Sequence, residues 1–427
     1  MLSSEDILHH IWKYKLFSLQ QLQTQDGESL KILSSGIHNH NAGPDFQEAK
    51  IEIGETTWAG NVEIHIKSSD WTKHHHQKDK AYDNVILHVV WDADTPILRT
   101  DGTLIPTLEL KNRIADSIIQ NYQLLKENNF WIPCERQVKE VDQFTKQQCL
   151  DRMILERLEE KSNLVQALYK ESKYNWEDTF YVTLARSFGF KINALPFEIL
   201  AKNLPQKLFA KHKDQTILIE SLVFGMAGLL NKNFEDAYPL KLKREFQYLK
   251  SKYNMKPLAP ESWKFSKTRP ENFPTVRLSQ FAALVVRSQH LFSKILDIDD
   301  AKDYAHLFSD LPVHPYWETH YLFDKEVKKH SIQIGKTSVN NILINTLVPL
   351  LFFYGKQLKE DIFVQRAFKI LEKTKPENNQ IVKGFKALNF KAEHAMDTQA
   401  LIHLKKYFCD RKNCLNCGIG LKILRTA

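Results

Sequence analysis

The sequence predicts an α+β protein in which a small sheet domain of order α-β-β-β-α-β is followed by a mostly α-helical region. Two observations support the sheet: residues 43–67 alternate apolar and polar side chains in two halves, and Asn84–Trp91 is the most strand-like run of the chain. The helical part is supported by apolar residues that recur with helical spacing from Asn112 onward. A chain of 427 residues exceeds the size at which one core keeps growing, so two or three domains are expected.

The first domain is predicted to span residues 1–112. Its core is a β-hairpin formed by the two halves of residues 43–67, with Gly54–Thr57 as the turn. The other predicted elements, in order, are a helix at Ser3–Gln23, a strand at Leu30–Ser34, a short helix within Ser69–Ala81, and strands at Asn84–Trp91 and Ile105–Leu110.

Residues 113–427 are predicted to form one or more helical domains, closed by a Cys-rich segment at the C-terminal end. The loops between the helices are marked by Pro and Asn. The helices are predicted at Ile114–Asn128, Phe144–Lys170, Trp176–Phe188, Pro196–Leu204, Thr216–Leu230, Glu235–Tyr253 and Leu278–Leu296.

Composition limits the functional classes. With 43% hydrophobic residues and only 14 Gly, the chain is typical of a folded globular protein. A formal net charge of +8 favours an anionic partner such as nucleic acid. The N-terminal residues lack the pattern of a signal peptide, and no run of about 18 uncharged apolar residues occurs, so we expect a cytoplasmic protein with no membrane partner. The sequence does not predict an oligomeric state.

The second half of the hairpin carries the first candidate site. A period of two places Asn61, Glu63, His65 and Lys67 on one face of the strand, opposite three aliphatic side chains. Asp45 follows Pro44 at the start of the first half, where pairing of the two strands would bring its carboxylate near Glu63. We therefore expect two carboxylates and a basic group, His65 or Lys67, to converge.

The polar segment after the hairpin, residues 68–79, leaves two interpretations open. Asp70, His74 and His76 could add ligands to a metal site or contact a phosphate, because carboxylates and neutral imidazoles are common metal ligands. The same residues would also suit a polar loop or a capped helix, which is the interpretation that we favour for His75. His88 lies within an apolar strand, and we interpret it as a hydrogen-bonded core residue.

The first domain resembles the PD-(D/E)xK nuclease superfamily, whose restriction-endonuclease-like core has the same order of elements. Pro44-Asp45 and Glu63-Ile64-His65 stand where that superfamily has an Asp after a Pro and an acid-x-Lys triplet, although His65 replaces the usual Lys. The resemblance implies a nuclease that hydrolyses phosphodiester bonds with Mg²⁺ or Mn²⁺ bound by Asp45 and Glu63. The alternative is a non-catalytic nucleic-acid-binding or scaffolding protein on a degenerate nuclease fold. Either DNA or RNA would suit both hypotheses.

The C-terminal segment carries the second candidate site. Cys409, Cys414 and Cys417 are separated by four and two residues, a spacing that lets a short loop surround one tetrahedral metal centre. Cys134, which follows Pro133 in a predicted loop, is our candidate for the fourth ligand, whereas Cys149 lies in a predicted helix and is interpreted as core. Zn²⁺ and an iron-sulfur cluster both fit the spacing, and some RecB-like nucleases hold a cluster with one distant and three close Cys. We favour zinc.

Several phrases along the chain resemble a bacterial family of unknown function, domain-of-unknown-function family 2851. They include Gly43-Pro44-Asp45-Phe46, Ser69-Asp70-Trp71 and Arg269-Pro270-Glu271-Asn272-Phe273-Pro274. The last phrase, continued to Arg277, places Arg269, Asn272 and Arg277 around a Pro-bounded turn at the start of a helix. This turn could bind a phosphate of nucleic acid, or it could be an inter-domain latch in which both Arg residues are paired with acids, which is the interpretation that we favour.

Overall fold

The structure is a computed structural model that describes residues 4–287, 291–298, 300 and 302–426. These residues form two compact units. The first contains residues 1–150, 387–390 and 404–427, and the second contains residues 151–386 and 391–403. The predicted first domain, 1–112, lies inside the first unit, which continues to Leu150 and includes the Cys-rich C-terminal segment.

The N-terminal part of the chain contains all six strands of the main sheet, with helices before, between and after them. A 3-10 turn at His76–Lys78 and another at Lys80–Tyr82 follow the second helix. In chain order the elements are α1 (Glu5–Tyr14), β1 (Leu30–Ser34), β2 (Ile37–His38), β3 (Phe46–Ile53), β4 (Thr56–Lys67), α2 (Asp70–Lys73), β5 (Val85–Asp92), β6 (Thr107–Glu109), α3 (Asp116–Glu127) and α4 (Gln143–Glu171).

From residue 176 onward the chain is mostly helical. The elements are α5 (Trp176–Phe188), α6 (Ala194–Asn203), α7 (Gln206–Ala210), α8 (Thr216–Met226), α9 (Ala237–Tyr253), α10 (Pro274–Arg287), α11 (Leu291–Asp297), α12 (Asp303–His306), β7 (His320–Leu322), β8 (Lys325–Glu326), α13 (Lys336–Ile342), α14 (Val348–Leu358), α15 (Asp361–Lys373), α16 (Gln380–Ala387), α17 (Ala395–His403) and α18 (Gly418–Arg425). Short π-helical turns occupy Leu343–Leu347 and Leu404–Cys409. A sheet domain followed by a mostly helical region confirms the predicted α+β class.

The first unit is built on a mixed sheet of order β1-β3-β4-β5-β6, with β2 also paired to β3. Strands β1, β3 and β4 are antiparallel, whereas β5 runs parallel to β4 and β6 runs parallel to β5. The predicted hairpin is confirmed as β3 and β4, and a parallel neighbour requires the crossover that α2 and its following turns supply. The sheet therefore places β5 next to β4, with His88 opposite Glu63.

Two local features shape the hairpin. Phe46 pairs with Val62 but Ala49 pairs with Gly60, so β3 carries one extra residue, and Glu48 within this bulge has a positive φ of 58°. Gly60 has no room for a side chain, because a Cβ there would lie 2.5 Å from Cγ2 of Ile86 in β5. These features bend the start of β3 and hold β4 close to β5, at the end of the hairpin where Asp45 and Glu63 lie.

The helix α1 packs against β4 through one apolar face that includes Ile7, Leu8 and Ile11. It ends at Tyr14, nine residues before the predicted end, because Lys15 adopts a left-handed conformation and its N–H caps the carbonyls of Ile11 and Trp12. Its polar face, which carries His9, thereby lies beside the end of the β3–β4 hairpin where the first candidate site lies.

The second unit confirms four predicted helices within a few residues: those predicted at 176–188, 196–204, 216–230 and 235–253 are observed at 176–188, 194–203, 216–226 and 237–253. The helix predicted at 278–296 begins earlier, at Pro274, and its residues 288–290 lie outside the described residues. One described helical stretch, Lys336–Leu358, is long and apolar enough to cross a membrane, but 72% of its most apolar window is buried in the structure, as in a core helix.

Candidate metal site

The two predicted carboxylates are joined through the backbone. The N–H of Asp45 donates to Oε2 of Glu63 at 3.1 Å, and the N–H of Ile64 donates to Oδ2 of Asp45 at 2.9 Å. This reciprocal arrangement follows from the antiparallel register, since Phe46 lies opposite Val62 and Asp45 therefore lies opposite Glu63. The structure thus brings Asp45 and Glu63 together, as the hairpin predicted.

Glu63 is in an unfavourable environment for a carboxylate without a cation. Its side chain is only 5% exposed, and burial, together with the nearby charge of Asp45, raises its pKa to about 9. Asp45 is more open to solvent, with a side chain that is 23% exposed. A bound cation would offset both the burial and the repulsion between the two acids.

Three histidines lie on the other side of Glu63. One ring nitrogen from each of His65, His74 and His76 falls within 4.8 Å of the others, and Nε2 of His65 lies 3.1 Å from Nδ1 of His74. Oε1 of Glu63 is 3.6 Å from Nε2 of His65 and 3.4 Å from Nε2 of His76. Glu63 therefore stands between Asp45 and a cluster of three imidazoles, which we call the histidine cluster.

Two members of the histidine cluster, His65 and His76, are held in their neutral form. Burial, with smaller contributions from neighbouring histidines, lowers the pKa of His65 to about 2 and that of His76 to about 4. A neutral imidazole offers a nitrogen lone pair, which is the state that binds a metal ion. Nε2 of His76 is also buried without a hydrogen-bond partner among the described residues.

The turn that carries His74 and His76 is fixed by short polar contacts. Asp70 accepts from the N–H of Lys67 at 3.0 Å and from Nζ of Lys73 at 2.6 Å, while Trp71 is buried beneath the turn. His75 takes a left-handed conformation with φ 62°, and its side chain is exposed. The reversal at His75 lets the histidines on either side of it approach His65.

His88 supports the cluster from β5. It is fully buried, and its Nε2 lies 2.8 Å from Nδ1 of His65. Burial lowers its pKa to about 3, so it is neutral, and its role as a hydrogen-bonded core residue is confirmed. A hydrogen bond to the second ring nitrogen orients a ligating histidine and sets its tautomer.

The helix α1 contributes two polar side chains that the sequence analysis did not single out. Nε2 of His9 lies 3.3 Å from Oδ2 of Asp45, and although burial acts to lower the pKa of His9, Asp45 raises it overall. Glu5 lies one turn earlier, where burial and the charge of Asp45 raise its pKa against the opposing effects of His74 and His9. The spacing of four residues on the polar face of an amphipathic helix was the signal available for both.

Lys67, the alternative basic group, lies at the end of β4 and is exposed. Although burial acts to raise the pKa of Asp94, hydrogen bonds from Ser69 and Ser68 lower it overall, and the charge of Lys67 adds a smaller effect in the same direction. Among the basic side chains near the two acids, His9 contacts Asp45, whereas His65 and His76 lie near Glu63.

The four predicted cysteine ligands, Cys134, Cys409, Cys414 and Cys417, all lie in the first unit, but among the described residues the set of three ligand atoms within 4.8 Å of one another is that of the histidine cluster, so a metal centre at the cysteines stays a prediction. Burial comes first among the effects that raise the pKa of the Cys409 thiol, followed by the charges of Cys134, Cys417 and Cys414. Burial and the charge of Cys417 likewise raise the pKa of Cys414 to about 12. These thiols influence one another electrostatically, and a metal ion bound by them would stabilise them as thiolates.

Cys149 lies beside this site, which the sequence did not predict. Its Sγ is 3.9 Å from Sγ of Cys417, and the hydrogen bond to that thiol, with burial, raises its pKa. Lys146, one turn earlier on α4, is buried, and the charge of Cys134 acts to raise its pKa against the larger effect of burial. The surroundings of the cysteines therefore include a fifth thiol and a buried cation.

The Pro-bounded turn lies in the second unit and is organised around Arg277. This side chain is 3% exposed and donates to Gln280 at 2.8 Å, to Ser338 at 2.7 Å and to Asn272, and it stacks on Phe190. Burial lowers its pKa to about 10. Arg269 is exposed. Arg277 and Asn272 thus bind each other inside the unit. The hydrogen-bond partners of Arg277 are neutral side chains, whereas the latch hypothesis expected acids.

One comparison with known proteins gives a match. The model of a family described as "Protein of unknown function (DUF2851)" matches residues 5–380. The searches of curated proteins and of solved structures give no match.

Proposed function

The chain belongs to the DUF2851 family, and we propose that it is a metal-dependent hydrolase of phosphodiester bonds in nucleic acid. The observation that carries this proposal is that the carboxylate of Glu63 lies close to both Asp45 and the histidine cluster. A buried acid between a second acid and three imidazoles has little stabilising role of its own. Such a set of donors suits a divalent cation and a phosphate substrate.

The topology supports a restriction-endonuclease-like core. A helix precedes three antiparallel strands, and a fourth strand lies parallel to the third after a helical crossover, in the order α1, β1, β3, β4, α2 and β5. The acids occupy the start of β3 and the middle of β4, where the PD-(D/E)xK pattern has its carboxylates. The departure is His65, which belongs to the histidine cluster and replaces the usual lysine.

The donor atoms indicate which ions fit. The carboxylates of Asp45 and Glu63 suit Mg²⁺ or Mn²⁺, whereas Glu63 with His65, His74 and His76 suits an ion that accepts nitrogen ligands, such as Mn²⁺ or Zn²⁺. Mn²⁺ accepts both sets, so we expect it to support activity better than Mg²⁺. When bound, the ion would polarise the phosphate and lower the pKa of water.

The residues around the ion would orient the reaction. The backbone bonds between Asp45 and Glu63 fix the two carboxylates before any ligand binds, which removes a reorganisation cost. His9, with its raised pKa, can hold a proton beside Asp45 and contact a phosphate oxygen. In this proposal His9 takes the place of the basic neighbour that the sequence assigned to His65 or Lys67.

The cysteines form a separate, structural centre in this proposal. Cys134, Cys409, Cys414 and Cys417 would hold one Zn²⁺, with an iron-sulfur cluster as the alternative. Four thiolates leave no open position for substrate, so this centre would stabilise the first unit. Elemental analysis and the visible spectrum distinguish the two, because iron-sulfur clusters absorb in the visible range and Zn²⁺ does not.

The direct test is hydrolysis of labelled single-stranded and duplex DNA and RNA by the purified chain with Mg²⁺, Mn²⁺ or Zn²⁺. Glu63→Gln keeps the acceptor for the Asp45 N–H but removes the charge, and should reduce the rate by at least about 10²-fold. Glu52→Gln, on the neighbouring strand β3, is the matched control and should retain the rate. If the wild type binds nucleic acid but cleaves none of these substrates with any of these ions, the chain is a non-catalytic binding protein and the hydrolase proposal is wrong.

A further inference from the structure

A cavity of about 760 Å³ opens in the first unit beside the acid pair. One wall is the polar face of α1, a second is formed by His38 and His40, a third by α3, and the fourth by the loop at residues 411–416. We call it the basic cavity. His9 lines it and also lies 3.3 Å from Asp45, so the cavity and the candidate metal site share a side chain.

The charge of the basic cavity is strongly one-sided. Four cationic side chains line it, namely Lys13, Lys126, Arg411 and Lys412, against one acid, Asp6. Hydrogen bonds hold two of these cations on the cavity wall. Nζ of Lys412 donates to the carbonyl of Lys126 at 2.8 Å, and Nζ of Lys126 donates to Tyr122 at 3.1 Å. The cavity therefore presents a surface that attracts an anion.

Aromatic rings are interleaved with the cations. Tyr14 is 37% exposed and lies between Lys13 and Arg425, each within 6 Å of its ring centre. On the facing wall the ring of His38 lies 4.3 Å from that of His40. Alternation of cations and exposed rings is the pattern by which proteins bind unpaired bases and the phosphates between them.

His10 is a second indication of a ligand. It lines the basic cavity and is 6% exposed, and its Nε2 has no hydrogen-bond partner among the residues that the structure describes. A buried ring nitrogen of this kind normally has a partner. A base or phosphate in the cavity could supply it.

We propose that the basic cavity binds a single-stranded segment of nucleic acid and leads it past His9 to Asp45. This inference rests on the proposed hydrolase function and names its substrate class. The volume is that of a small-molecule pocket, which accommodates one or two unpaired nucleotides but not a duplex. Double-stranded nucleic acid would have to be unpaired before it entered.

The proposal also assigns a role to the cysteine-rich loop. Residues 411–416 form one wall and include Cys414, and they are bounded by Cys409 and Cys417. A centre that fixes these cysteines would fix the positions of Arg411 and Lys412. The C-terminal site then contributes to substrate binding as well as to stability.

Binding can be measured without catalysis in the Glu63→Gln background, by fluorescence anisotropy of a labelled 12-nucleotide oligothymidylate and of a duplex of the same length. We expect the single strand to bind at least about tenfold more tightly than the duplex. Lys13→Ala and Lys412→Ala should each weaken binding about fivefold and lower the slope of log K against log salt by about 0.7. Lys139→Ala, an exposed lysine of the same unit outside the cavity, is the control and should change neither quantity.

Two results would overturn the inference: equal or tighter binding of the duplex, or binding that the two cavity variants leave unchanged. The hydrolysis assay on the wild type separates this inference from the proposed function. If the wild type cleaves nucleic acid and the cavity variants change neither binding nor rate, the hydrolase proposal stands and binding by the basic cavity is wrong. If binding depends on Lys13 and Lys412 but no cleavage occurs, binding by the basic cavity stands and the hydrolase proposal is wrong.

Discussion

The carboxylate of Glu63 accepts the backbone N–H of Asp45 at 3.1 Å, and Asp45 in turn accepts the N–H of the residue after Glu63 at 2.9 Å. Each acid therefore fixes the backbone that carries the other. The register of the hairpin and these two hydrogen bonds position the pair. A change in the length of either side chain should disturb both acids.

Asp45→Glu tests this dependence on geometry. The substitution keeps the charge but adds one methylene, so the carboxylate can no longer accept from Ile64 in the same position. We expect the metal-dependent rate to fall about as far as in Asp45→Asn, by roughly 10²-fold or more. Steady-state hydrolysis rates of the two variants decide the question. If Asp45→Glu retains near wild-type activity, only the charge matters and the interlocked geometry is not required.

The histidine cluster predicts that substitutions of the neighbouring residues His75 and His76 will affect metal binding differently. His76→Asn removes a buried ring that faces Glu63, and we expect it to weaken binding of Mn²⁺ or Zn²⁺ by about 10- to 100-fold. His75→Asn is the matched control, because His75 is exposed and Asn tolerates its left-handed backbone. Isothermal titration calorimetry measures both. Equal loss in the two variants would mean that the turn, and not a ligand, was damaged.

The cysteine site predicts unequal effects on stability and metal content. Cys414→Ser should release the metal and cost several kcal/mol, since metal binding to such a site is also folding free energy. Cys149→Ala removes a buried thiol and should cost about 1–2 kcal/mol while the metal is retained. Thermal denaturation and elemental analysis of both variants check this. Loss of the metal from Cys149→Ala would show that Cys149 is a ligand in place of one of the other four.

Arg277 is expected to stabilise the second unit and not to bind nucleic acid. Arg277→Ala leaves the oxygens of Asn272, Gln280 and Ser338 without their donor and creates a cavity, so unfolding should become easier by about 3–5 kcal/mol. Arg269→Ala, at an exposed position of the same turn, should change stability by less than about 0.5 kcal/mol. Chemical denaturation gives both values. A selective loss of oligonucleotide affinity in Arg269→Ala would support phosphate binding by this turn.

Glu220 predicts a pH dependence of stability. It is 1% exposed in α8, and burial raises its pKa from the ordinary 4.5 to about 7. Between these values the folded state holds a proton that the unfolded state has lost, so stability falls as pH rises from about 4.5 to 7, and the cost is complete above 7.

Glu220→Gln should remove this cost and stabilise the protein by about 1–3 kcal/mol at pH 8, with little effect at pH 4.5. Thermal melts of the variant and the wild type across this range measure the difference. Glu235→Gln, at an exposed position, is the control and should follow the wild type at every pH. A stabilisation that is the same at pH 4.5 and pH 8 would contradict the assignment.

Local sequence determined the hairpin and the pairing of its acids. Alternation of apolar and polar residues defined β3 and β4, and a tight turn fixes the register of two consecutive antiparallel strands, so the approach of Asp45 to Glu63 was predictable. The same is true of the close spacing of Cys409, Cys414 and Cys417, since these residues share one short loop. In both cases the contacts connect residues that are near each other in the chain.

Only the tertiary structure decided which other side chains complete the two sites. His9 reaches Asp45 because α1 packs on β4, and His88 reaches His65 because β5 lies parallel to β4 after a crossover. Cys149 lies at Cys417 across more than 250 residues of chain. Periodicity reports which face of an element is apolar, but the partner of that face, and hence the neighbours of its polar residues, depends on how distant elements pack. The same packing left Lys67 exposed at the end of its strand, although the period of two placed it on the face of Glu63 and His65.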